Sequence, residues 1–428
     1  MRAVAVGVSV MLLGGVARAD TDPPPTSEGP KYTAPTDSPA EPDERTGRDD
    51  VKEPEGWWGG EHLTGAWGGA RTWLEDRGVT IDLVYASDVF TAHGHVAALG
   101  HVDAALTLDT EKLGLWHGGT IYVIGQNNHG SVLNERDHID SAIGVSNLEA
   151  EPYTQLTELF FEQSLFDDLV KLRIGKQDAN RDFGTPRFGG NLINNNFGMF
   201  PNTPLPSYPT TGLGAIVIVQ PVKWLVGKAG IYEGSPEVGG LGLDTAFRDG
   251  AGATAAALIA VTHQYGPDHR DGGTTSIGAW SQSDDDNAMM IADPARYHDN
   301  AGFFVQNDER IYLHPEDAKD PRGLTVIARY SGARHDRSSF PDYWGGSIAW
   351  HGVGSRHNDT TGAGFGYFTI AQQVGGTPGR GSEWFAEGFY KLRLTNFLSL
   401  QPDVQWFAHP GGDRRDTLVG GVRLKTKL

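Results

Sequence analysis

From Glu383 to Leu428 apolar and polar residues alternate with a period of two. Trp384, Ala386, Gly388, Tyr390, Leu392 and Leu394 form one set, and Glu383, Phe385, Glu387, Phe389, Lys391 and Arg393 form the other. Leu398, Leu400, Val404 and Trp406 then alternate with Ser399, Gln401, Asp403 and Gln405. Leu418, Val422, Leu424 and Leu428 alternate with Arg423, Lys425 and Lys427. Successive side chains on a strand point to opposite faces, so the pattern predicts three strands of about ten residues, each with one apolar and one charged face. A soluble sandwich alternates too, but its polar face meets bulk water and its apolar face a second sheet. Here aromatics stand near the segment ends, at Trp384, Tyr390 and Trp406, and the chain reaches its last residue on the strand itself. That combination points to an all-β transmembrane barrel, with lipid outside, water inside and aromatic girdles.

The same reading extends upstream. Leu63, Trp67, Ala70 and Leu74 recur at three and four residues, which predicts a short N-terminal helix at about 66–77, closed by Gly78. A strand follows at once from Val79 to Phe90. Further strands are predicted at 102–109, 119–126, 156–166, 169–177, 214–220, 224–232, 251–263, 275–282, 302–307, 324–331, 346–351 and 362–371. Asp167-Asp168 fits a hairpin corner. Residues 181–211, rich in Asn, Pro, Gly and Phe, read as a surface loop or one folded inward. At roughly twenty-three residues per strand and connection, the stretch 57–428 holds about sixteen antiparallel strands, within the even-numbered range of such barrels.

The first 56 residues are of other material. Arg2, the apolar run from Ala3 to Val16 and Ala17-Arg18-Ala19 read as a secretory signal peptide over residues 1–19. Residues 20–56, punctuated by proline among acidic and hydroxyl residues, have little to bury and read as a disordered leader. The mean hydropathy of −0.37 does not oppose a barrel, in which only alternate residues face lipid. The absence of cysteine does not oppose export, because a closed barrel satisfies its own backbone. A net charge of −19 disfavours nucleic-acid binding, which wants a basic surface.

Four blocks in order carry a resemblance. Leu63-Thr64-Gly65-Ala66-Trp67-Gly68-Gly69-Ala70-Arg71, followed by Gly78-Val79-Thr80-Ile81-Asp82, resembles the entry motif of the OprB-type carbohydrate-selective porins of Gram-negative outer membranes. Phe161 to Asp168 with Lys171 to Asp178 resembles that family's central hairpin. Gly323 to Tyr330 resembles a later strand, and Leu400 to Trp406 with Pro410 the penultimate one. The resemblance implies a sixteen-stranded barrel in the outer membrane that passes mono- or oligosaccharides into the periplasm without energy input. It implies no reaction and no cofactor or metal. The partners it implies are carbohydrate solutes, outer-membrane lipid and the assembly machinery, in a monomer or homotrimer. The chain departs from the usual barrel ending in an aromatic residue, since it closes on Lys427-Leu428.

A pore selects by width, by charge and by groups that replace a solute's water. A sugar is dense in hydroxyls and apolar on its ring faces, so arginine forks, carboxylates and aromatics suit it. Alternation assigns Lys171, Arg173 and Gln177 to the lumen, with Glu158 and Glu162 opposite them. It likewise turns Arg329, Glu383, Glu387, Lys391, Arg393, Asp403, Gln405 and Arg423 inward. Arg173, Arg329 and Arg393, with Glu162 and Glu387, are the candidates for the constriction; the resemblance implies that Arg and Glu pairs line such a point. The bland reading of each is a wetted wall residue without solute contact. His93 and His95, and the run Asp284-Asp285-Asp286, lack the further ligands or spacing of a metal site. No phosphate-binding loop or nucleophile elbow occurs.

Overall fold

In the computed structural model of the chain, the alternating segments close into one antiparallel barrel in which every strand pairs with its sequence neighbours and the first pairs with the last. The structure describes residues 56–136, 139–239, 252–265, 271–283, 297–313, 322–371, 381–412 and 414–428. The proposed signal peptide, nearly all of the leader and the Asp284–Asp286 run lie outside them. The strands are β1 Val79–Ala92, β2 His95–Asp109, β3 Gly119–Gly130, β4 Tyr153–Leu165, β5 Val170–Gln177, β6 Gly212–Val222, β7 Leu225–Glu233 and β8 Ala253–Tyr265. They continue as β9 Asp271–Ser283, β10 Asp299–Leu313, β11 Gly323–Ala333, β12 Asp342–Val353, β13 Arg356–Ile370, β14 Gly381–Arg393, β15 Leu398–Ala408 and β16 Thr417–Lys427. Each contains or overlaps a strand predicted from alternation. Most are longer, because the alternation fades near the ends where side chains leave lipid while backbone pairing continues.

The connections at the two ends differ. β4–β5, β6–β7, β12–β13 and β14–β15 are joined by tight turns at the end that also holds Val79 and Lys427. The 131–152 and 178–211 connections lie at the other end. Barrels of this kind have short periplasmic turns and long extracellular loops, which orients the chain with both strand termini at the periplasm. Closure is made by β1 against β16, from Val84 opposite Lys427 to Thr91 opposite Gly420.

The N-terminal helical stripe forms a turn at Trp67–Gly69 that leads into α1, Ala70–Glu75. Its Arg71 is buried and donates to the Ile81 and Leu428 carbonyls at 2.9 and 3.0 Å. The Leu63 N–H donates to the Lys427 carbonyl, so this segment covers the periplasmic end of the closing seam. Gly78 turns the chain from α1 into β1 with a φ of 85°, a conformation that favours glycine.

The outer face carries two aromatic belts. Trp344 packs tilted against Tyr330 at 4.2 Å, and Trp384 against Tyr367 at 4.4 Å, toward the extracellular end. Trp350 stacks on Tyr312 at 5.7 Å toward the periplasm. On β12 the exposed Ile348 lies within one residue of the midpoint between Trp344 and Trp350, which are about 20 Å apart along the strand. Ile348→Arg is therefore expected to destabilise insertion by about 2–4 kcal/mol. Ser347→Arg, one residue earlier and facing the lumen, should cost far less. Urea unfolding in detergent compares the two, and equal losses would contradict the facing assigned to β12.

The inner face is not simply polar. Phe385 and Phe389, which alternation puts on the charged side of β14, are buried, as are Tyr343 on β12 and Phe304 on β10. They form one apolar cluster with Leu133, Val145 and Leu148 of one long connection, and Phe183, Ile193, Phe197, Phe200 and Leu205 of the other. The hydrophobic core thus sits inside the barrel, where two loops have folded in. Gly364 on β13 makes room for this: a Cβ there would stand 2.4 Å from the ring of Phe197.

Candidate functional site

The 178–211 connection leaves β5, enters the lumen and returns to β6, carrying the short helices Asn180–Phe183 and Asn195–Gly198. Three groups of wall residues hold it. On its near side Arg173 and Glu162 face each other across β5 and β4, as the register dictates. Arg173 Nε donates to Glu162 at 2.8 Å, and Nη1 reaches Asp182 of the loop at 2.6 Å. The guanidinium also lies 4.8 Å from the Phe160 ring centroid. Lys228 on β7 donates to Asp182 at 3.1 Å. Burial alone would raise the Asp182 carboxyl, but Arg173, Lys228 and Arg181 hold it below the usual range. Next to this group Arg181 pairs with the buried Glu158.

On the far wall Arg329 of β11 acts as a peg. Nη1 donates to the carbonyls of Phe197 at 2.7 Å and Met199 at 3.3 Å, and Nη2 to Gly184 at 2.5 Å. Its guanidinium stacks over the Phe200 ring at 4.0 Å, and the Tyr343 hydroxyl donates to Asn196 O at 2.8 Å. A planar fork with five donors is the side chain able to gather several carbonyls at once. Glu387 of β14 supplies the opposite chemistry, accepting from the N–H groups of Ile193 and Asn194 at 2.6 and 2.8 Å. Beside it on β15, Gln405 accepts from Asn194 Nδ2 at 3.0 Å and donates to Asp403 at 3.1 Å. Gln401 donates to Asn191 O at 2.7 Å.

The 131–152 connection is fixed in the same way near the seam. Glu383 accepts from Ser141 Oγ at 2.5 Å and the Ala142 N–H at 3.0 Å. Gln405 donates to Val145 O at 3.1 Å. Arg423 of β16 meets Asp88 of β1 directly across the closing register, with two bonds of 2.7 Å, and Ser146 Oγ donates to the same carboxylate at 2.6 Å.

The structure therefore brings Arg173 and Glu162 together, and places Arg329, Glu387, Asp403 and Gln405 around the far end of one loop. It joins Arg423 to Asp88. Gln177 is buried at the end of β5, where it donates to Gly214 O at 3.0 Å. Lys171 stands at the periplasmic turn, 3.6 Å from Asp168. Arg393 and Lys391 stand apart from the loop, at the periplasmic end of β14.

Several residues of this arrangement were not singled out from the sequence. Asp88 belongs to the polar set of β1, but only closure places it opposite Arg423. Asp182 and Arg187 lie in a segment without periodicity. The exposed Arg187 and the half-buried Arg310 of β10 each lie 5.1 Å from the Phe188 ring centroid, and the Arg187 N–H donates to Asp308. Two guanidiniums around an aromatic ring, next to a carboxylate, make a surface suited to a polyol.

Where the loop leaves β5, burial and the neighbouring Glu158 carboxylate push the Asp178 carboxyl up to about 7. Between about pH 4 and 7 the folded chain keeps a proton that the unfolded chain has lost, so stability falls as pH rises through that window. Asp178→Asn should remove that slope. Urea midpoints at pH 5 and pH 8 test it; a slope unchanged in the variant would place its origin elsewhere.

The model of the family described as carbohydrate-selective porin, OprB family, matches residues 93–428. Porin B of Pseudomonas aeruginosa is 24% identical over 425 residues, covering 85% of this chain and 90% of that protein. The high-pH structure of Pseudomonas putida OprB superposes with a TM-score of 0.73 at 18% identity, covering 86% of this chain and 99% of that one. The low-pH structure of the same protein gives a TM-score of 0.58 at 17% identity, with 86% and 98% covered.

Proposed function

Since this chain belongs to the OprB family of carbohydrate-selective porins, an outer-membrane pore for carbohydrates, we propose that the inward 178–211 loop is its selectivity element. In this reading the barrel supplies the channel across the Gram-negative outer membrane and the loop sets its width. Arg173 and Arg329 act as positioning residues, because Arg173 ties Glu162 of the wall to Asp182 of the loop and Arg329 gathers loop carbonyls. In this reading the sugar passes Arg187 and Arg310 with Asp308, around the Phe188 ring, and the wall charges Lys171 and Lys391. The observation that carries the proposal is the peg and cradle that pin the far end of one loop with opposite chemistry: Arg329 on its carbonyls and Glu387 on its N–H groups. A neutral solute is best recognised by such fixed donors and acceptors, which replace its hydration without a net charge to attract ions. Passage is downhill diffusion.

The same proposal includes export through residues 1–19, a spacer role for residues 20–56, and insertion by the outer-membrane assembly machinery. Each barrel is its own pore, whether the chain works as a monomer or in a homotrimer.

Single channels in planar bilayers test the reading. Glucose should reduce the ion current in a concentration-dependent way, and replacing Arg187 with Ala should weaken the reduction about tenfold, the value of one charge-assisted contact. A current indifferent to glucose would make this a general small-solute pore.

A further inference from the structure

The segment ahead of the first strand carries an aromatic platform at the periplasmic end of the lumen. Trp57 and Trp58 are exposed, at 49% and 54%. Their ring centroids are 4.6 Å apart and their planes meet at 69°. Against them lies the buried Phe397, from the turn between β14 and β15. Its ring stacks on Trp58 at 6.4 Å and 17°, and tilts against Trp57 at 5.3 Å. The chain around the platform holds it in place. The Trp57 indole N–H donates to the Leu63 carbonyl at 2.8 Å, and the Leu63 N–H to the Lys427 carbonyl at 2.8 Å. Asn396 Nδ2 donates to Gly59 O and to Glu61 Oε1, each at 3.3 Å.

The face on which Phe397 stands decides what the rings meet. Tryptophans at the end of a barrel commonly anchor it at the lipid boundary. Trp350 and Tyr390, which share one register row, are of that kind and belong to the outward set of their strands. On β15 the outward set is Leu398, Leu400, Val404 and Trp406, so Phe397 falls in the inward set with Ser399 and Gln401. Phe397 and Ser399 line the periplasmic mouth together with Lys425 of β16. The rings that pack on Phe397 therefore stand on the water side of the wall. A sugar carries C–H groups on its ring faces and hydroxyls around its rim. A fixed indole face takes the apolar side, and polar groups at its edge take the hydroxyls. The exposed Glu61 is such a group, because a carboxylate accepts at several positions and Asn396 uses one of them.

We propose that Trp57, Trp58 and Phe397 form a second saccharide site, an exit platform that holds a neutral hexose by its apolar face as it leaves the pore. It rests on the reading of the chain as a sugar pore, but not on the 178–211 loop being the selectivity element. Downhill passage favours several weak sites over one tight site, because the solute must leave each of them. A platform already fixed before the sugar arrives costs little ordering on binding.

The test uses the full chain in lipid nanodiscs, with 5-fluorotryptophan at its eleven tryptophan positions and fluorine NMR as the readout. Trp57→Phe and Trp58→Phe identify the two signals. Glucose should shift both in a concentration-dependent way and leave the signal of Trp73, which is also exposed, where it is. A lipid carrying a spin label near its headgroup should broaden Trp350 and spare Trp57 and Trp58. In planar bilayers the double variant Trp57→Ala/Trp58→Ala should raise the half-blocking concentration of glucose added at the periplasmic side about three- to tenfold, and change block from the extracellular side much less. Heat-modifiable mobility on gels verifies that the variant is folded. Signals that glucose leaves unmoved, in a chain whose current glucose still reduces, would overturn the platform and leave the pore reading intact. Broadening of Trp57 and Trp58 by the labelled lipid would make them a membrane anchor and overturn it too. A spectrum and a current both indifferent to glucose would remove the sugar reading itself, and the platform with it.

Discussion

Arg329→Ala should widen the pore while leaving the barrel folded. Arg329 is the only wall side chain described that gathers carbonyls from two separated parts of the 178–211 loop, Gly184 on one side and Phe197 and Met199 on the other. Hydrogen bonds from a charged donor are worth about 1.5–3 kcal/mol each, and they do not simply add. Losing the group should weaken loop docking by about 3–5 kcal/mol, enough to change the docked fraction by two orders of magnitude or more. Glu387 and the Phe197 ring on Gly364 remain, so the loop is loosened rather than expelled. Single-channel conductance should rise and the current reduction by glucose should weaken, with heat-modifiable mobility retained. Arg329→Lys keeps the charge but not the fork, and should fall between the two. Unchanged conductance and glucose response in Arg329→Ala would show that this loop does not set the pore.

The second large effect concerns closure. Asp88 is fully buried and holds Arg423 across the β1–β16 seam by two bonds of 2.7 Å. Asp88→Ala leaves a buried guanidinium without its counter-charge, and breaking one side of such a pair typically costs about 3–5 kcal/mol. The same carboxylate accepts from Ser146, so the 131–152 connection is loosened as well. Urea unfolding in detergent should show the loss. The double variant Asp88→Ala/Arg423→Met should recover most of it, because no charge is then stranded. A single variant as stable as the wild type would mean that the seam is held by backbone pairing alone.

The strands were legible because the barrel wall obeys a local rule. A residue one position along a strand faces the other solvent, so lipid and lumen are written directly into the alternation. This is why Leu392 and Trp384 could be told from Glu387 and Arg393 without any neighbour being known. The rule fails at Phe385 and Phe389, which are apolar yet turned inward. Phe385 meets Phe197, some 190 positions earlier in the chain, and both inward rings join the same buried cluster, which no local pattern announces. The bulge opposite Ile124 and Gly125 is a similar case: it shifts the phase of β4, so that both Thr157 and Glu158 are buried on the lumen side.

The candidate site was legible by type but not by role. Arg173, Arg329 and Glu387 were marked as inward charges, and as constriction candidates. The structure assigns their donors and acceptors to the inward loop. Arg393, marked by the same argument, stands at the periplasmic mouth, because alternation reports the face of a residue and is silent about its height in the barrel.

What the sequence determined by itself is the wall: the strands, their two faces, the girdles and the lumen-facing charges. Each follows from the period of a single strand between two solvents. The tertiary structure alone decided what fills the lumen. The 178–211 loop has no period, and its path is set by contacts that exist only after the barrel has closed: Arg329 on its carbonyls, Glu387 on its amides and Asp182 on Arg173.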